Sequence, residues 1–307
     1  MRLYRLKSLI GVAVLFACTG AAAVTAVSSA AGLGRRTGHG ILFIYRPHGR
    51  VLGGDVYDLV RGRGVRRLTD SPTAKYDPQW SPNGTRIAYT AMLGNGLSVC
   101  GPCTQEVWVA RADGSHAHQV TSLSGAEATS DTHPSWSPNG RQIVFERDFA
   151  VPPLHQLLIV PARGGRERYL GVAGTEPTWG PRGIAYVAVN SIRLIRPSVR
   201  GSTLLAVAPT GVAALAWSGS DRLAALEGQA YGRHIVIFAA SGRQLERLSL
   251  PAPLFGALGI TWSPDGRQLL LSAWVRGAPP GLYETDMRGM KLRHIVARID
   301  AWRAGWR

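Results

Sequence analysis

The chain has 307 residues, of which 45% are hydrophobic and 18% charged, a composition that excludes an intrinsically disordered chain and is typical of a globular protein. Its 35 lysines and arginines outnumber its 19 aspartates and glutamates and give a formal net charge of +16. Only three of the cations are lysines. The excess is therefore largely a matter of arginine usage, and it does not by itself predict a nucleic-acid ligand.

The chain begins with a short basic stretch that is followed by an uncharged apolar run from Ser8 to Gly34. With small residues near Ala30, this pattern predicts that residues 1–31 are a cleaved export signal. An uncleaved membrane anchor is a second alternative, since about 20 apolar residues span a bilayer. Lipidation at Cys18 is a third. All three predict an exported protein, periplasmic or extracellular, that contacts membrane only through this segment.

The remainder, residues 39–307, contains a repeat centred on tryptophan. The strings PQWSPNG (78–84), PSWSPNG (134–140) and ITWSPDG (260–266) each predict a strand that ends at tryptophan, a tight turn set by proline and glycine, and a second strand. The copies are separated by 56, 43, 38, 45 and 44 residues. The aligned tryptophans, which we predict to be structural residues of the blade cores, are Trp80, Trp136, Trp179, Trp217, Trp262 and, in a frayed last copy, Trp306.

A second hairpin, with a glycine-containing turn and a more polar last strand, lies between successive tryptophan hairpins. Four strands over about 40 to 45 residues are typical of a β-propeller blade, and six such units predict six blades. The strand GILFIYR (40–46) has no tryptophan strand before it, whereas RAGWR at the C-terminus has no strand after it. We therefore expect a ring closed by pairing of the strand at Trp306 with residues 40–46.

The pattern PxWSP[ND]G followed by a short β-rich strand resembles the WD-repeat-like blades of the TolB-like six-bladed β-propellers, and the resemblance covers residues 39–307. It implies an all-β fold of four-stranded antiparallel blades in a single domain. It also implies a non-catalytic interaction module of the cell envelope, which holds a protein partner at a propeller face or in the channel mouth. A fold alone does not establish a function.

Three charged or polar residues precede the tryptophan by three positions in consecutive units: Asp77, His133 and Glu176. Loops at this position lie at one mouth of a propeller, so the three side chains could converge as an O,N,O set for a divalent cation or another polar ligand. The alternative is that each side chain caps backbone donors of its own strand. Whether a metal binds is left open by the sequence.

The string CGPC places Cys100 and Cys103 in a glycine-rich loop between two predicted strands. A local disulfide is the expectation for an exported protein. A metal-binding or redox role is the alternative, but redox enzymes place this motif at the start of a helix, and no helix is predicted here.

The sequence contains no G-x-S-x-G, H-E-x-x-H or G-x-x-x-x-G-K motif. We therefore predict an exported, non-catalytic module that binds a protein or another ligand, with no cofactor. The alternative is a metal-dependent hydrolase or lyase that uses the channel mouth. A protein partner is expected at a propeller face, and anionic cell-wall polymer is a further candidate because the outer strands are basic. No nucleic-acid partner and no oligomer are expected.

Overall fold

The computed structural model describes residues 40–45, 54–92, 104–123, 128–152, 154–199, 201–228, 231–278, 280–286, 292–296 and 304–306. The predicted signal segment 1–31 with Cys18, and the pair Cys100 and Cys103, lie outside these ranges, so their roles stay predictions. None of the described residues forms a helix that could cross a membrane.

The regular elements of the described ranges are 24 β-strands. The first twelve are Gly40–Tyr45 (β1), Asp55–Val60 (β2), Gly64–Arg67 (β3), Lys75–Trp80 (β4), Arg86–Met92 (β5), Gln105–Arg111 (β6), His118–Gln119 (β7), Ala128–Trp136 (β8), Gln142–Phe149 (β9), His155–Pro161 (β10), Arg168–Ala173 (β11) and Thr175–Gly180 (β12). The others are Gly183–Ala188 (β13), Ser191–Ile195 (β14), Ser202–Val207 (β15), Val212–Trp217 (β16), Arg222–Glu227 (β17), His234–Ala239 (β18), Gln244–Ser249 (β19), Leu254–Trp262 (β20), Gln268–Val275 (β21), Gly281–Asp286 (β22), Leu292–Val296 (β23) and Gly305–Trp306 (β24).

The strands form antiparallel sheets of four. Three of these sheets are consecutive in sequence, with the orders β12-β13-β14-β15, β16-β17-β18-β19 and β20-β21-β22-β23. An eight-stranded sheet consists of β4 to β7 and β8 to β11, joined by one parallel pair between Gln105 and Ser130. The remaining sheet has the order β24-β1-β2-β3. The prediction of an all-β fold built from four-stranded antiparallel blades is confirmed.

The first and last described strands pair with each other, as the frayed C-terminal copy predicts. Ile41 lies opposite Trp306, and Leu42 lies opposite Gly305. The innermost strands contact one another in the order β24, β4, β8, β12, β16 and β20, and β20 contacts β24 again. A closed ring of six blades requires these contacts. The number of blades remains the prediction made from the repeats.

Local hydrogen bonds explain why the same residues recur in each complete tryptophan turn. Ser81 Oγ donates to Asn83 Oδ1 (2.9 Å) and accepts from the backbone N–H of Arg86 (3.0 Å). The turn closes with the N–H of Gly84, which donates to Ser81 O (2.7 Å) from a φ of 63° that favours glycine. Equivalent hydrogen bonds surround Ser137 and Ser263.

Buried tryptophans connect neighbouring four-stranded units. Trp136 Nε1 donates to Gln79 O of β4 (3.3 Å), and Trp262 Nε1 donates to Ala216 O of β16 (2.9 Å). The guanidinium of Arg222 lies 4.8 Å from the centroid of the Trp262 ring and donates a hydrogen bond to the next turn of the repeat. Each tryptophan of this kind therefore adds a hydrogen bond and a cation–π contact to the apolar packing between units.

The predicted core tryptophans are not equally buried. Those buried are Trp80, Trp136 and Trp262, whereas those half-buried, each packed against the edge of a hydrophobic cluster, are Trp179, Trp217 and Trp306. The ring of Trp217 lies against Gly180, where an added Cβ would sit 2.3 Å from Trp217 Cγ. Gly180 stands where most copies of the turn have serine, and this contact explains the departure.

The outermost strands carry much of the basic charge, as the sequence predicts, but several of their arginines are paired. Arg67 on β3 lies 2.6 Å from the buried carboxylate of Asp55 on β2. Arg247 on β19 likewise pairs with the buried carboxylate of Glu227 on β17. Charged residues on an outer strand oppose edge-to-edge association of sheets. The pairing also reduces the charge that these edges present to an anionic polymer.

Candidate functional site

Asp77, His133 and Glu176 occupy equivalent β-bulges in β4, β8 and β12. At each bulge the register against the neighbouring strand shifts by one residue, and the shift falls at the charged residue and the proline that follows it. Their φ angles are 48°, 53° and 58°. A positive φ is uncommon for residues other than glycine, although aspartate and histidine adopt it more often than most. Bulges re-aim the side chains they carry and are over-represented next to functional sites.

The structure brings these three side chains together. His133 Nε2 lies 3.4 Å from Glu176 Oε1 and 3.8 Å from Asp77 Oδ2. Asp77 is buried, and the other two side chains are partly exposed. These distances are short enough for the three side chains to share one ligand. If each side chain only capped its own strand, the three would not need to lie close together. Binding of a ligand by this set stays a prediction.

Three further residues, which the sequence analysis missed, extend the same group of side chains. Glu146 and Asp148 lie near the end of β9, and His155 begins β10. Glu146 Oε2 accepts a hydrogen bond from the backbone N–H of Glu176 (3.1 Å) and lies 3.1 Å from His133 Nδ1. We call the six residues, Asp77, His133, Glu146, Asp148, His155 and Glu176, the His–carboxylate cluster.

The second histidine of the cluster faces two carboxylates. His155 Nδ1 lies 2.6 Å from Asp148 Oδ1 and 3.0 Å from Glu146 Oε1. One donor atom from each of Glu146, Asp148 and His155 lies within 4.8 Å of the others, a spacing that suits a metal ion. Glu146 is buried, Asp148 is partly buried and His155 is exposed, so this part of the cluster extends from the interior to solvent.

The electrostatics of the cluster centre on Glu146. Burial raises the pKa of Glu146, but the hydrogen bonds from His133 and His155 outweigh burial and lower it to about 2. The hydrogen bond to Glu146 raises the pKa of His155 to about 9, with burial opposing and Asp148 adding to the shift. The cluster contains four carboxylates and two imidazoles, so its acidic side chains outnumber its basic ones.

The arginine between Glu146 and Asp148 does not neutralise this charge. Successive side chains of a strand point to opposite faces, and Arg147 pairs with other partners. Its Nε lies 2.6 Å from Asp131 Oδ1, and its Nη1 lies 2.7 Å from Glu167 Oε2. Arg147 is therefore already committed to two carboxylates outside the cluster.

No protein-family model matches the chain. The chain is 28% identical over 229 residues to the uncharacterized peptidase YuxL of Bacillus subtilis (strain 168), and the match covers 68% of this chain but 30% of YuxL. The chain thus spans less than a third of the length of this curated relative.

Solved structures share the fold at low sequence identity. TolB from Acinetobacter baumannii superposes with a TM-score of 0.68 at 13% identity, covering 88% of this chain and 66% of TolB. A chain of a nidogen/laminin complex gives 0.64 at 13% identity, covering 88% of this chain and 98% of that one. A puromycin hydrolase gives 0.54 at 18% identity, covering 86% of this chain and 46% of the hydrolase.

These similarities and the sheet topology show that the protein has the fold of a TolB-like β-propeller, as the repeats predict. At these identities the superpositions establish the fold, and the function has to be argued from the site.

Proposed function

We propose that the protein is an exported, non-catalytic interaction module of the cell envelope that binds a protein partner through the His–carboxylate cluster. The observation that carries the proposal is the convergence of charged side chains from three successive innermost strands, with His133 within 3.8 Å of both Asp77 and Glu176. The TolB-like propeller fold supports it, because this fold fits a protein-interaction module.

The charge of the cluster indicates the chemistry of the partner. A surface with an excess of carboxylates attracts a cationic group, such as a lysine or arginine side chain or a free N-terminal amine. Because the formal charge of the whole chain is +16, this negative patch stands out from its surroundings. We therefore expect the contacting segment of the partner to be basic.

The backbone of the cluster is consistent with a site that is kept for function. A residue held in a sparsely populated conformation costs about 1 to 3 kcal/mol, and such residues gather at binding and active sites. Asp77, His133 and Glu176 all have positive φ in equivalent bulges. Glycine at each position would avoid this strain, but it would remove the charged side chains.

Export to the cell envelope is the part of the proposal that rests on the N-terminal sequence. The basic start and the apolar run from Ser8 to Gly34 support it. In that compartment, anionic wall polymer is a second partner that the basic outer strands would attract, and this attraction should weaken as salt is raised.

A second candidate function is a metal-dependent hydrolase or lyase that uses the same cluster. The observation that favours it is the mixture of imidazole nitrogens and carboxylate oxygens within the cluster, a donor set found in catalytic metal sites. The partial similarity to a peptidase adds weight, although it covers 30% of that protein. Hydrolysis that disappears with a chelator would favour this candidate.

Site-directed photo-cross-linking in the producing cell tests the interaction module. A photoreactive residue replaces Val151, which is 43% exposed in the loop between Asp148 and His155, and in a control strain it replaces Val65, which is 55% exposed on β3. We expect one discrete partner in the envelope fraction to cross-link from position 151 and not from position 65.

The same cross-link tests the role of the charge. The double variant Asp77→Asn, Glu176→Gln keeps the size of both side chains, and asparagine tolerates positive φ. The cross-link should be lost in this variant while its circular dichroism spectrum stays native. A cross-link that forms equally from both positions, or one that persists in the double variant, would contradict the proposed function.

A further inference from the structure

One end of the cluster has the geometry of a metal site. Glu146 Oε1, Asp148 Oδ1 and His155 Nδ1 face one another, with the imidazole nitrogen 3.0 Å from the first oxygen and 2.6 Å from the second. A hydrogen atom on this nitrogen can bond either oxygen. A divalent cation in its place would contact all three atoms.

Separate hydrogen-bond donors orient the two carboxylates, and each carboxylate keeps one oxygen that faces His155 Nδ1. Glu146 Oε2 is held by the backbone N–H of Glu176 and by His133 Nδ1, both at 3.1 Å, so that Oε1 faces His155. Asp148 Oδ2 accepts from Ser130 Oγ at 2.7 Å, so that Oδ1 faces the same imidazole. Metal sites characteristically have such outer partners, because they fix the direction in which a ligand points.

We propose that Glu146, Asp148 and His155 bind a divalent transition-metal ion of the Zn²⁺ or Mn²⁺ class. One imidazole with two carboxylates suits these ions, whereas Ca²⁺ and Mg²⁺ take oxygen ligands. Ligand atoms around a tetrahedral zinc are about 3.4 Å apart for bonds of about 2.0 to 2.2 Å. The two nitrogen–oxygen distances need to lengthen by less than about 1 Å to reach that spacing, and rotation of the exposed His155 side chain can supply it.

The ion would have coordination positions open to solvent. Side-chain exposure rises from 4% for Glu146 to 28% for Asp148 and 46% for His155. Three protein ligands with an open side are the arrangement of a site that also takes water or an exogenous ligand. A partner or substrate could then bind through the metal as well as through His133, Asp77 and Glu176.

This inference does not rest on the proposed interaction function, since an ion at this site could serve a partner, a substrate or stability alone. The metal site and the interaction function can be tested separately. If the cross-link from position 151 survives a chelator, the interaction module stands without the metal. If zinc binds but no partner cross-links, the metal site stands without the interaction module.

Titration of Zn²⁺ alone into the untagged full chain, after chelator treatment and dialysis, tests the site by isothermal titration calorimetry. Mn²⁺ and Ca²⁺ are titrated in parallel. We expect one equivalent of Zn²⁺ or Mn²⁺ to bind, and the melting temperature to rise with the concentration of that ion because it binds the folded state. Ca²⁺ should bind at least tenfold more weakly.

The variants His155→Gln and Asp148→Asn replace an exposed and a partly buried ligand with side chains of similar size, so both should fold, and each should lose at least tenfold in affinity for the ion. His118→Gln, which changes an exposed histidine on β7, is the matched control and should bind as the wild type does. Absence of stoichiometric binding by either transition metal would overturn the proposal. So would unchanged affinity in both ligand variants, because it would place the ion elsewhere.

Discussion

Replacement of Trp262 by phenylalanine tests how the sheets of the propeller are joined. The side chain of Trp262 is 4% exposed, its Nε1 donates to Ala216 O at 2.9 Å, and Arg222 lies over its ring. Phenylalanine keeps an aromatic ring in the same position. It removes the N–H and part of the apolar surface, and it weakens the cation–π contact.

The expected cost follows from these three losses. Loss of the indole hydrogen bond costs about 0.5 to 1.5 kcal/mol, because Ala216 O also lies within the β16–β17 ladder. A loss of roughly 30 Å² of buried apolar area costs about 0.8 kcal/mol at about 25 cal/mol per Å², and the weaker cation–π contact adds about 0.5 kcal/mol. We therefore expect Trp262→Phe to lower the free energy of unfolding by about 2 to 3 kcal/mol.

Trp217→Phe is the matched control. Trp217 holds the same place in the repeat, but it is half-buried, and its buried Nε1 has no hydrogen-bond partner among the described residues. Only packing is lost in this variant, so its cost should stay below about 1 kcal/mol. Urea unfolding followed by circular dichroism gives both values from the midpoint and slope. Equal losses within about 0.5 kcal/mol would refute the assignment of the indole hydrogen bond as a link between sheets.

Two further predictions concern the turn and the cluster. Gly180→Ala should lower the free energy of unfolding in urea by about 1 to 3 kcal/mol, because its Cβ would lie 2.3 Å from Trp217 Cγ. Gly219→Ala is the control, and it should be neutral or slightly stabilising because open space surrounds Gly219; similar values for the two variants would contradict this packing. The second prediction applies with a chelator present, so that no metal is bound. The lowered pKa of Glu146 (about 2) stabilises the folded state above pH 4.5, and this stability is lost as the pH falls. The raised pKa of His155 (about 9) stabilises the folded state below pH 6.5, and this stability is lost as the pH rises towards 9. Unfolding measured against pH should show the alkaline loss in the wild type and not in His155→Gln, and the same loss in both would rule out this origin.

The fold could be predicted because its signals are local. The WSP[ND]G motif is explained by hydrogen bonds within a single turn, such as those of Ser81 with Asn83 and Arg86. The pairing of β1 with β24 could also be predicted, because a missing strand at one end matched an extra one at the other. The unequal burial of the tryptophans could not be predicted, since it depends on non-local contacts such as that of Trp217 with Gly180.

Three of the six residues in the His–carboxylate cluster could be predicted from the sequence, because they occupy equivalent positions of the repeat. Asp77, His133 and Glu176 share one offset from tryptophan, so alignment of the repeats finds them. Glu146 and His155 lie on the second and third strands of one unit, where no other unit has matching residues. The contacts of Glu146 with His133 and with His155 depend on the register of β8, β9 and β10 and on the bulge in β8. The alternation of Glu146 and Asp148 on one face of β9, followed by a histidine, is the signal that could have suggested them.

The most direct measurement on the cluster is an anomalous difference map from crystals of the full chain grown with Zn²⁺, with data collected on both sides of the zinc absorption edge. The structure predicts one strong peak about 2.0 to 2.2 Å from Glu146 Oε1, Asp148 Oδ1 and His155 Nδ1. A map without a peak at these three atoms, or with peaks only at exposed histidines such as His118, would show that the cluster is a self-contained hydrogen-bond network and not a metal site.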